Sequence, residues 1–502
     1  MENKIIVGKD FEVNLSKLNR HGFITGATGS GKTVTLKVFA ENLAKNGVPV
    51  FLSDIKGDIS SVIEPGEVNE SIENRIKEIG LDDYENRKFD AEFFDVFGEK
   101  GIPLRTTISE MGPILLSKLL GLNNIQEGIL NIAFKLADER QLLLVDIKDL
   151  RAILNFVNEN KDELSSHYGN ISSASVGAIL RSLLVIEQQG GDVFFGEPAF
   201  DIKDLMKTNS SGEGVINILS SKKLFEYPAL YNTFLLWLLS ELYENLPEEG
   251  DLDKPKIVFF FDEAHLLFDE ADTVLFELVE KIVRLIRSKG VGIFFVTQKA
   301  TDIPDDILSQ LSNRVQHSLR AYTPKEQKEV KAIAESFRQE EGMDLVEEIL
   351  NLKTGEAIVS VLDDDSKPTP AKKTLICPPE SKLGEIDESA ILKIVNSSQF
   401  YEKYIEAIDP ESAYEILSRE KEEKIQQELK AKQEEEMRIA EEKRLKEIQK
   451  QEERQQKEIQ KEETRKRNKT SIFERFTNNV IGSVGRTIGR EITRGIFGTK
   501  RR

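Results

Sequence analysis

The chain has 502 residues, long enough for two or three compact units with a sizeable core. Its formal charge of −19 argues against a protein coated in nucleic acid, because phosphate binding draws on clustered Lys and Arg. The lone cysteine, Cys377, excludes an intrachain disulfide and a cysteine-based zinc site. The start, "MENKIIVGKDFEV", lacks the basic head and apolar centre of a signal peptide, and "TFLLWLL" (233–239) is too short to span a bilayer. A cytoplasmic protein is expected.

In chain order, "HGFITG" (21–26) predicts a first buried strand. It leads straight into "GATGSGKT", Gly26 to Thr33, and then into the helical "VTLKVFAENLAKNG". G-x-x-x-x-G-K-T between strand and helix is the context of a phosphate-binding loop. Backbone N–H groups of Gly26, Ala27, Thr28, Gly29, Ser30, Gly31 and the following Lys32, Thr33 and Val34 would cradle phosphates, aided by the helix N-terminus. Lys32 would reach the β and γ phosphates of ATP, and the Thr33 hydroxyl would join Mg²⁺. The glycines do not spell G-x-G-x-x-G, which disfavours a dinucleotide fold.

"VPVFLSD" (48–54) and "EFFDVFG" (92–98) predict further strands; in "SDIKGD" (53–58), Asp54 and Asp58 are placed to face nucleotide, with helix capping an equal explanation for Asp58. From 109 to 207 the apolar spacing turns to threes and fours, predicting an all-helical insertion. "DIKDL" recurs at 146–150 and 201–205, which Asp as a common helix N-cap explains without a repeat. "GVINILS" (214–220), "KIVFFFDE" (256–263), "GIFFVTQ" (292–298), "RVQHSLRA" (314–321) and "EAIVSVL" (356–362) complete the strands. Several are apolar throughout, as in a mostly parallel sheet covered on both faces, so an α/β core over 1–108 and 208–385 is expected.

Asp262 and Glu263 end one such strand, where Asp262 would hold Mg²⁺ and Glu263 would act as general base toward water. Gln298, ending the next, suits sensing the γ-phosphate or orienting water. His265 and His317 are expected to be hydrogen-bonded structural groups. Arg284, Arg287, Arg314 and Arg320 are candidates for an arginine acting on a neighbouring subunit's phosphates; each is also a plausible surface ion-pair residue.

"DDDSKPTPAKK" (363–373) predicts a polar surface excursion, and 386–418 a helical connector. From Arg419 to Arg467 the chain interleaves 16 basic with 15 acidic residues. Glu-to-Lys spacing supports a long exposed helix, preferred to a coiled coil because its apolar residues keep no heptad. The last stretch, 468–502, has a net charge of +6, and Phe473, Phe476, Val480, Val484, Ile488, Ile492 and Ile496 fall mainly at four-residue steps. It predicts a basic amphipathic tail suited to an anionic membrane surface, a protein partner or the protein's own surface.

Asp262-Glu263-Ala264-His265 spells the signature of DEAH-type RNA helicases. The second RecA-like domain and arginine motif of that group have no counterpart, the nearest being "GRTIGR" (485–490). "RHGFITGATGSGKTVTL", "VPVFLSDIKGDIS", "GIPLRTTISEMGPILLSKLL", "FFFDEAHLLF" and "RLIRSKGVGIFFVTQKATDIPDDILSQLSNRVQH" instead resemble the bacterial HerA-like helicase C-terminal family of the HerA/FtsK superfamily. The resemblance implies a RecA-like P-loop ATPase using ATP and Mg²⁺, forming a hexameric ring around DNA. It also implies the roles above for Lys32, Thr33, Asp262, Glu263 and Gln298, with a trans-acting arginine near Arg287. Archaeal members carry a β-barrel ahead of the motor, and only a short stretch precedes Gly26 here. The resemblance therefore leaves a nuclease partner open. A second reading is an ATPase acting on a membrane or protein partner through the basic tail.

Overall fold

Runs of aliphatic and aromatic residues build the centre of the molecule. In the computed structural model, which describes residues 3–250, 252–269, 273–339 and 342–467, Ile257–Phe261 and Val291–Thr297 are strands buried at every position. They belong to a ten-stranded sheet. In chain order its strands are β3 (Gly22–Thr25), β4 (Val50–Asp54), β5 (Ala91–Asp95), β6 (Ile102–Pro103), β7 (Ile216–Ser220), β8 (Ile257–Phe261), β9 (Val291–Thr297), β10 (Asn313–Gln316), β11 (Glu356–Ser360) and β12 (Lys372–Leu375). Their spatial order is β12-β11-β10-β3-β9-β8-β4-β7-β5-β6, parallel from β10 through β6, with β11 and β12 antiparallel at one edge. Helices cover both faces, and burial on both faces is why these strands carry no polar alternation.

Four strands escape the sequence pattern. β1 (Lys4–Gly8) and β2 (Phe11–Asn14) form a separate hairpin, turned through Asp10 at a φ of 52°. β6 has two residues. β12, "KKTL", begins at the last two residues of the expected surface excursion and runs two beyond it; its lysines are exposed, as suits an edge strand that must resist further pairing. Other strands end earlier than their apolar runs suggest. β5 stops at Asp95, whose carboxylate accepts hydrogen bonds from the N–H groups of Phe97, Glu99 and Lys100 and so turns the chain.

Between 108 and 194 the chain is helical: Ile108–Leu119, Asn124–Glu139, Ile147–Glu159, Lys161–Tyr168 and Ser173–Ile186, then short turns. Side chains of Thr107, Asn123, Asp146 and Ser172 accept the first free N–H groups of four of them. Buried faces including Leu130, Ile153 and Ile179 continue the core of the sheet layer. The repeated "DIKDL" has a local explanation and a further one. Asp146 and Asp201 are both N-caps. The second aspartate of each copy holds the connector: Asp149 accepts from the Ser412 hydroxyl and Tyr414 N–H, and Asp204 from the Tyr404 hydroxyl and Lys403.

Residues 1–418 form one unit. Helix Pro228–Asn245, which carries "TFLLWLL", is buried nearly all round, with Trp237 1% exposed; among the described residues no single helix is long and apolar enough to cross a membrane. The second unit begins at Arg419, within the 55-residue helix Ala413–Arg467. Every residue over 421–462 is exposed, so i,i+4 pairs such as Glu442–Lys446, rather than burial, support it. The expected basic tail, 468–502, lies outside the described residues.

Candidate nucleotide-binding and hydrolysis site

The parallel register sets the site. Thr25 at the end of β3 pairs with Thr297 at the end of β9, and Phe295 of β9 pairs with Phe261 of β8. Neighbouring strands stand about 4.8 Å apart. The loop after β3, Gln298 after β9 and Asp262-Glu263 after β8 therefore open together at one end of the sheet, beyond the carboxyl ends of its parallel strands.

After β3 the chain turns through Gly26 (φ 152°), Gly29 (77°) and Gly31 (114°) before helix Lys32–Lys45. A side chain at Gly26 would collide with Cβ of His317 at 2.5 Å, so glycine is demanded there on space as well as on backbone angle. The helix start has no side-chain cap. Its first N–H groups face outward from the helix end as an anion site does. Lys32 is folded back, its Nζ donating to the carbonyls of Gly26 (2.7 Å) and Ala27 (3.2 Å). Burial lowers its pKa, partly offset by the charges of Glu263 and Asp262, so these three groups share one field. The Ser30 hydroxyl is buried without a hydrogen-bond partner, while Thr33 and Val34 are half-buried and Ala27, Thr28 and Gly29 form the open lip. Such a cradle fits phosphate oxygens.

His317 braces the loop from beneath. Its Nδ1 lies 2.9 Å from the Glu356 carbonyl and its Nε2 2.8 Å from the Thr35 hydroxyl. A carbonyl only accepts, so Nδ1 carries the proton and Nε2 accepts from Thr35. Burial holds the ring down to about 4, and it stays neutral. That is the structural histidine expected.

Asp262 is 6% exposed, and its Oδ1 accepts the Glu263 N–H at 2.9 Å. Burial, then the charge of Glu263, pushes it up to about 7, and a cation beside it would restore the ionised form. Glu263 has a φ of 50°, a left-handed conformation costly for a non-glycine residue. Its Oε1 accepts from Lys56 Nζ at 2.7 Å, and its Oε2 is buried without a hydrogen-bond partner. His265 Nδ1 stands 3.3 Å from that oxygen, close but without hydrogen-bond geometry. Burial alone would raise the Glu263 carboxyl, yet Lys56 outweighs it and holds the group below its usual range.

Lys56 escapes sequence reasoning, although a lysine two residues beyond a buried strand was its signal. Asp54 serves a different purpose from facing nucleotide: it accepts from Gly57 N–H (2.7 Å), Ser60 N–H (3.0 Å) and the Ser60 hydroxyl (2.8 Å), shaping the turn that presents Lys56. Asp58 does not cap the helix that follows, and its Oδ1 is buried and unpartnered.

Gln298 is exposed at the site's edge, and the loop behind it is tied by Asp302, which accepts from the Thr297 hydroxyl and Lys299 N–H. Arg287 lies just ahead of β9, at the opposite end of the sheet, exposed and near His21. Arg284 pairs with Glu280, and Arg314 donates to two carbonyls and covers the Phe23 ring. Arg320, exposed beyond β10, opens at the same end of the sheet as the phosphate loop.

A glycine-rich loop between strand and helix, with an Asp-Glu pair two strands away on a mostly parallel sheet, defines a P-loop nucleotide-binding protein of RecA-like α/β fold. The chain belongs to the family described as Helicase HerA-like C-terminal, which matches residues 3–502. It is 25% identical over 366 residues to the DNA double-strand break repair helicase HerA of Sulfurisphaera tokodaii, covering 70% of this chain and 65% of that protein. It is 24% identical over 376 residues to the same-named protein of Sulfolobus acidocaldarius, again covering 70% and 65%. It thus spans less than two thirds of those relatives. The solved plasmid coupling protein TrwB, in complex with the GTP analogue GDPNP, shares the fold at a TM-score of 0.50 with 14% identity, over 77% of this chain and 91% of that one.

Proposed function

We propose that this chain is an ATP-hydrolysing motor that assembles as a ring, with six subunits the expected number, and moves along DNA. The observation that carries the reading is the buried Oε2 of Glu263, without a hydrogen-bond partner, at the end of the sheet where Lys32 and the phosphate loop also open. A carboxylate oxygen kept dry and unsatisfied costs stability unless a ligand completes it, and an attacking water is that ligand.

Loop N–H groups between Gly26 and Val34 hold the phosphates, except those of Ala27 and Ser30, which are already given to the Ser318 and Ala27 carbonyls, and Lys32 leaves the carbonyls of Gly26 and Ala27 to meet the β and γ oxygens. Thr33 and Asp262 would hold Mg²⁺, which would supply positive charge against the phosphates. Glu263 takes a proton from the water that attacks the γ-phosphorus, and the bond to ADP breaks. Gln298 orients that water. Arg287, at the far end of the sheet, acts on a neighbouring subunit's phosphates, since β9 alone sets it roughly 20 Å from its own site. DNA as the polymer is supported by the family and by the relatives' names.

The test is ATP turnover of the full chain at low salt, alone and with double- or single-stranded DNA. Stimulation is expected; turnover indifferent to both forms would remove DNA and leave a protein or membrane partner for the tail. Mixing Arg287→Ala with Lys32→Ala subunits should restore part of the turnover that each lacks alone, and no restoration would refute action in trans.

A further inference from the structure

"SDIKGD" carries more than the phosphate-binding motif accounts for. Three features converge on it. Asp54, 4% exposed, spends its carboxylate on the turn, with three hydrogen bonds from Gly57 and Ser60 that fix the backbone between them. Gly57 adopts a φ of 81°, which reverses the chain. Lys56, projecting from this rigid turn, reaches across from β4 to β8 and meets Glu263 Oε1 at 2.7 Å.

A carboxylate has two oxygens, and a general base needs one of them aimed at water. Lys56 engages Oε1 and leaves Oε2 buried and without a hydrogen-bond partner among the described residues, with His265 Nδ1 3.3 Å away but out of hydrogen-bond geometry. Without that ammonium, the Glu263 side chain could turn either oxygen, or both, toward solvent or toward Lys32. The backbone at Glu263 is held by the Asp262 carboxylate at its N–H and by the Ala264 N–H bond to the Val296 carbonyl. Main chain and one oxygen are therefore both pinned, and a single oxygen remains for the reaction.

We propose that Lys56 is a positioning residue for hydrolysis: by holding Glu263 Oε1, it presents Oε2 to the attacking water. The inference rests on Glu263 being the general base. In this reading Lys56 acts through Glu263, the one side chain its ammonium is seen to hold among the described residues. Its side chain is half exposed, so its removal opens no cavity.

The experiment compares steady-state ATP hydrolysis, binding of a fluorescent ATP analogue and thermal unfolding for the wild-type chain, Lys56→Met, Lys56→Arg, Glu263→Gln and the double variant Lys56→Met/Glu263→Gln. Lys56→Met should lower kcat about 10- to 100-fold, as misplacing a catalytic group does, with KM, analogue affinity and melting temperature nearly unchanged. Lys56→Arg should recover much of the rate, because a guanidinium can make the same bond. The double variant should match Glu263→Gln, since a residue acting through another has nothing left to position. Wild-type or faster turnover by Lys56→Met, or further loss in the double variant, would overturn the proposal. A Glu263→Gln protein that still hydrolyses ATP would instead overturn the assignment of the base itself.

Discussion

The turns after β3 and β4 start from similar ingredients and end in different chemistry. Each follows a buried strand, bends through a left-handed glycine (Gly31, Gly57) and carries a lysine beside it (Lys32, Lys56). After β3 the turn has no acidic residue, and the helix start it leads into has no side-chain cap. After β4 the Asp54 carboxylate already accepts the turn's N–H groups. One turn is left open for an anion from outside, and the other contains its own. The lysines differ accordingly. Burial lowers the pKa of Lys32, which is held only by neutral carbonyls, whereas for Lys56 the pairing with Glu263 outweighs burial and raises it. Glycine and lysine make a phosphate site only where no carboxylate has filled the concavity.

The comparison breaks first at the residue both lysines face. Glu263→Gln should keep nucleotide binding and lower kcat by about 10²- to 10⁴-fold, the usual contribution of a general base. Lys32→Ala should weaken nucleotide binding roughly 100-fold, from the loss of charge-assisted hydrogen bonds to phosphate, measured by titration with a fluorescent ATP analogue. If both turns bound anions, Asp54→Ala would likewise alter affinity. Instead it should destabilise folding by about 2–3 kcal/mol in urea titration, because two backbone donors and the Ser60 hydroxyl lose their acceptor.

The same contrast explains what the sequence made legible. Gly26–Thr33 could be read because its spacing, its strand and its helix are all local, and the apolar runs of β8 and β9 announce burial without help from distant partners. Lys56 could not be read, since its meaning depends on β4 lying beside β8, about two hundred residues apart in the chain. Asp54 looked like a nucleotide contact for the same reason: a strand-end aspartate has one appearance whether it faces ligand or its own backbone. β12 was hidden because edge strands are kept short or polar.

The smallest expected effect concerns what supports the open turn, which lacks a carboxylate and is braced by His317 instead. His317→Phe leaves the Thr35 hydroxyl and the Glu356 carbonyl without their ring partner and should cost about 1–2 kcal/mol. The pH dependence separates this from a simple packing defect. His317 is held near 4 when folded, by burial first and by Lys32 as well, and returns to about 6.5 when the chain unfolds. Between those values the unfolded chain binds the extra proton, so wild-type stability falls as pH drops from about 6.5 toward 4, at up to roughly 1.4 kcal/mol per pH unit for this group. His21, also buried and held at about 4, adds a parallel loss that both proteins share. Urea titrations at a series of pH values should therefore show a shallower decline for His317→Phe than for the wild type, with the two curves converging and then crossing as pH falls toward 4. Curves that stay parallel would mean the ring is charged in the folded state, and the neutral brace beneath the phosphate loop would have to be abandoned.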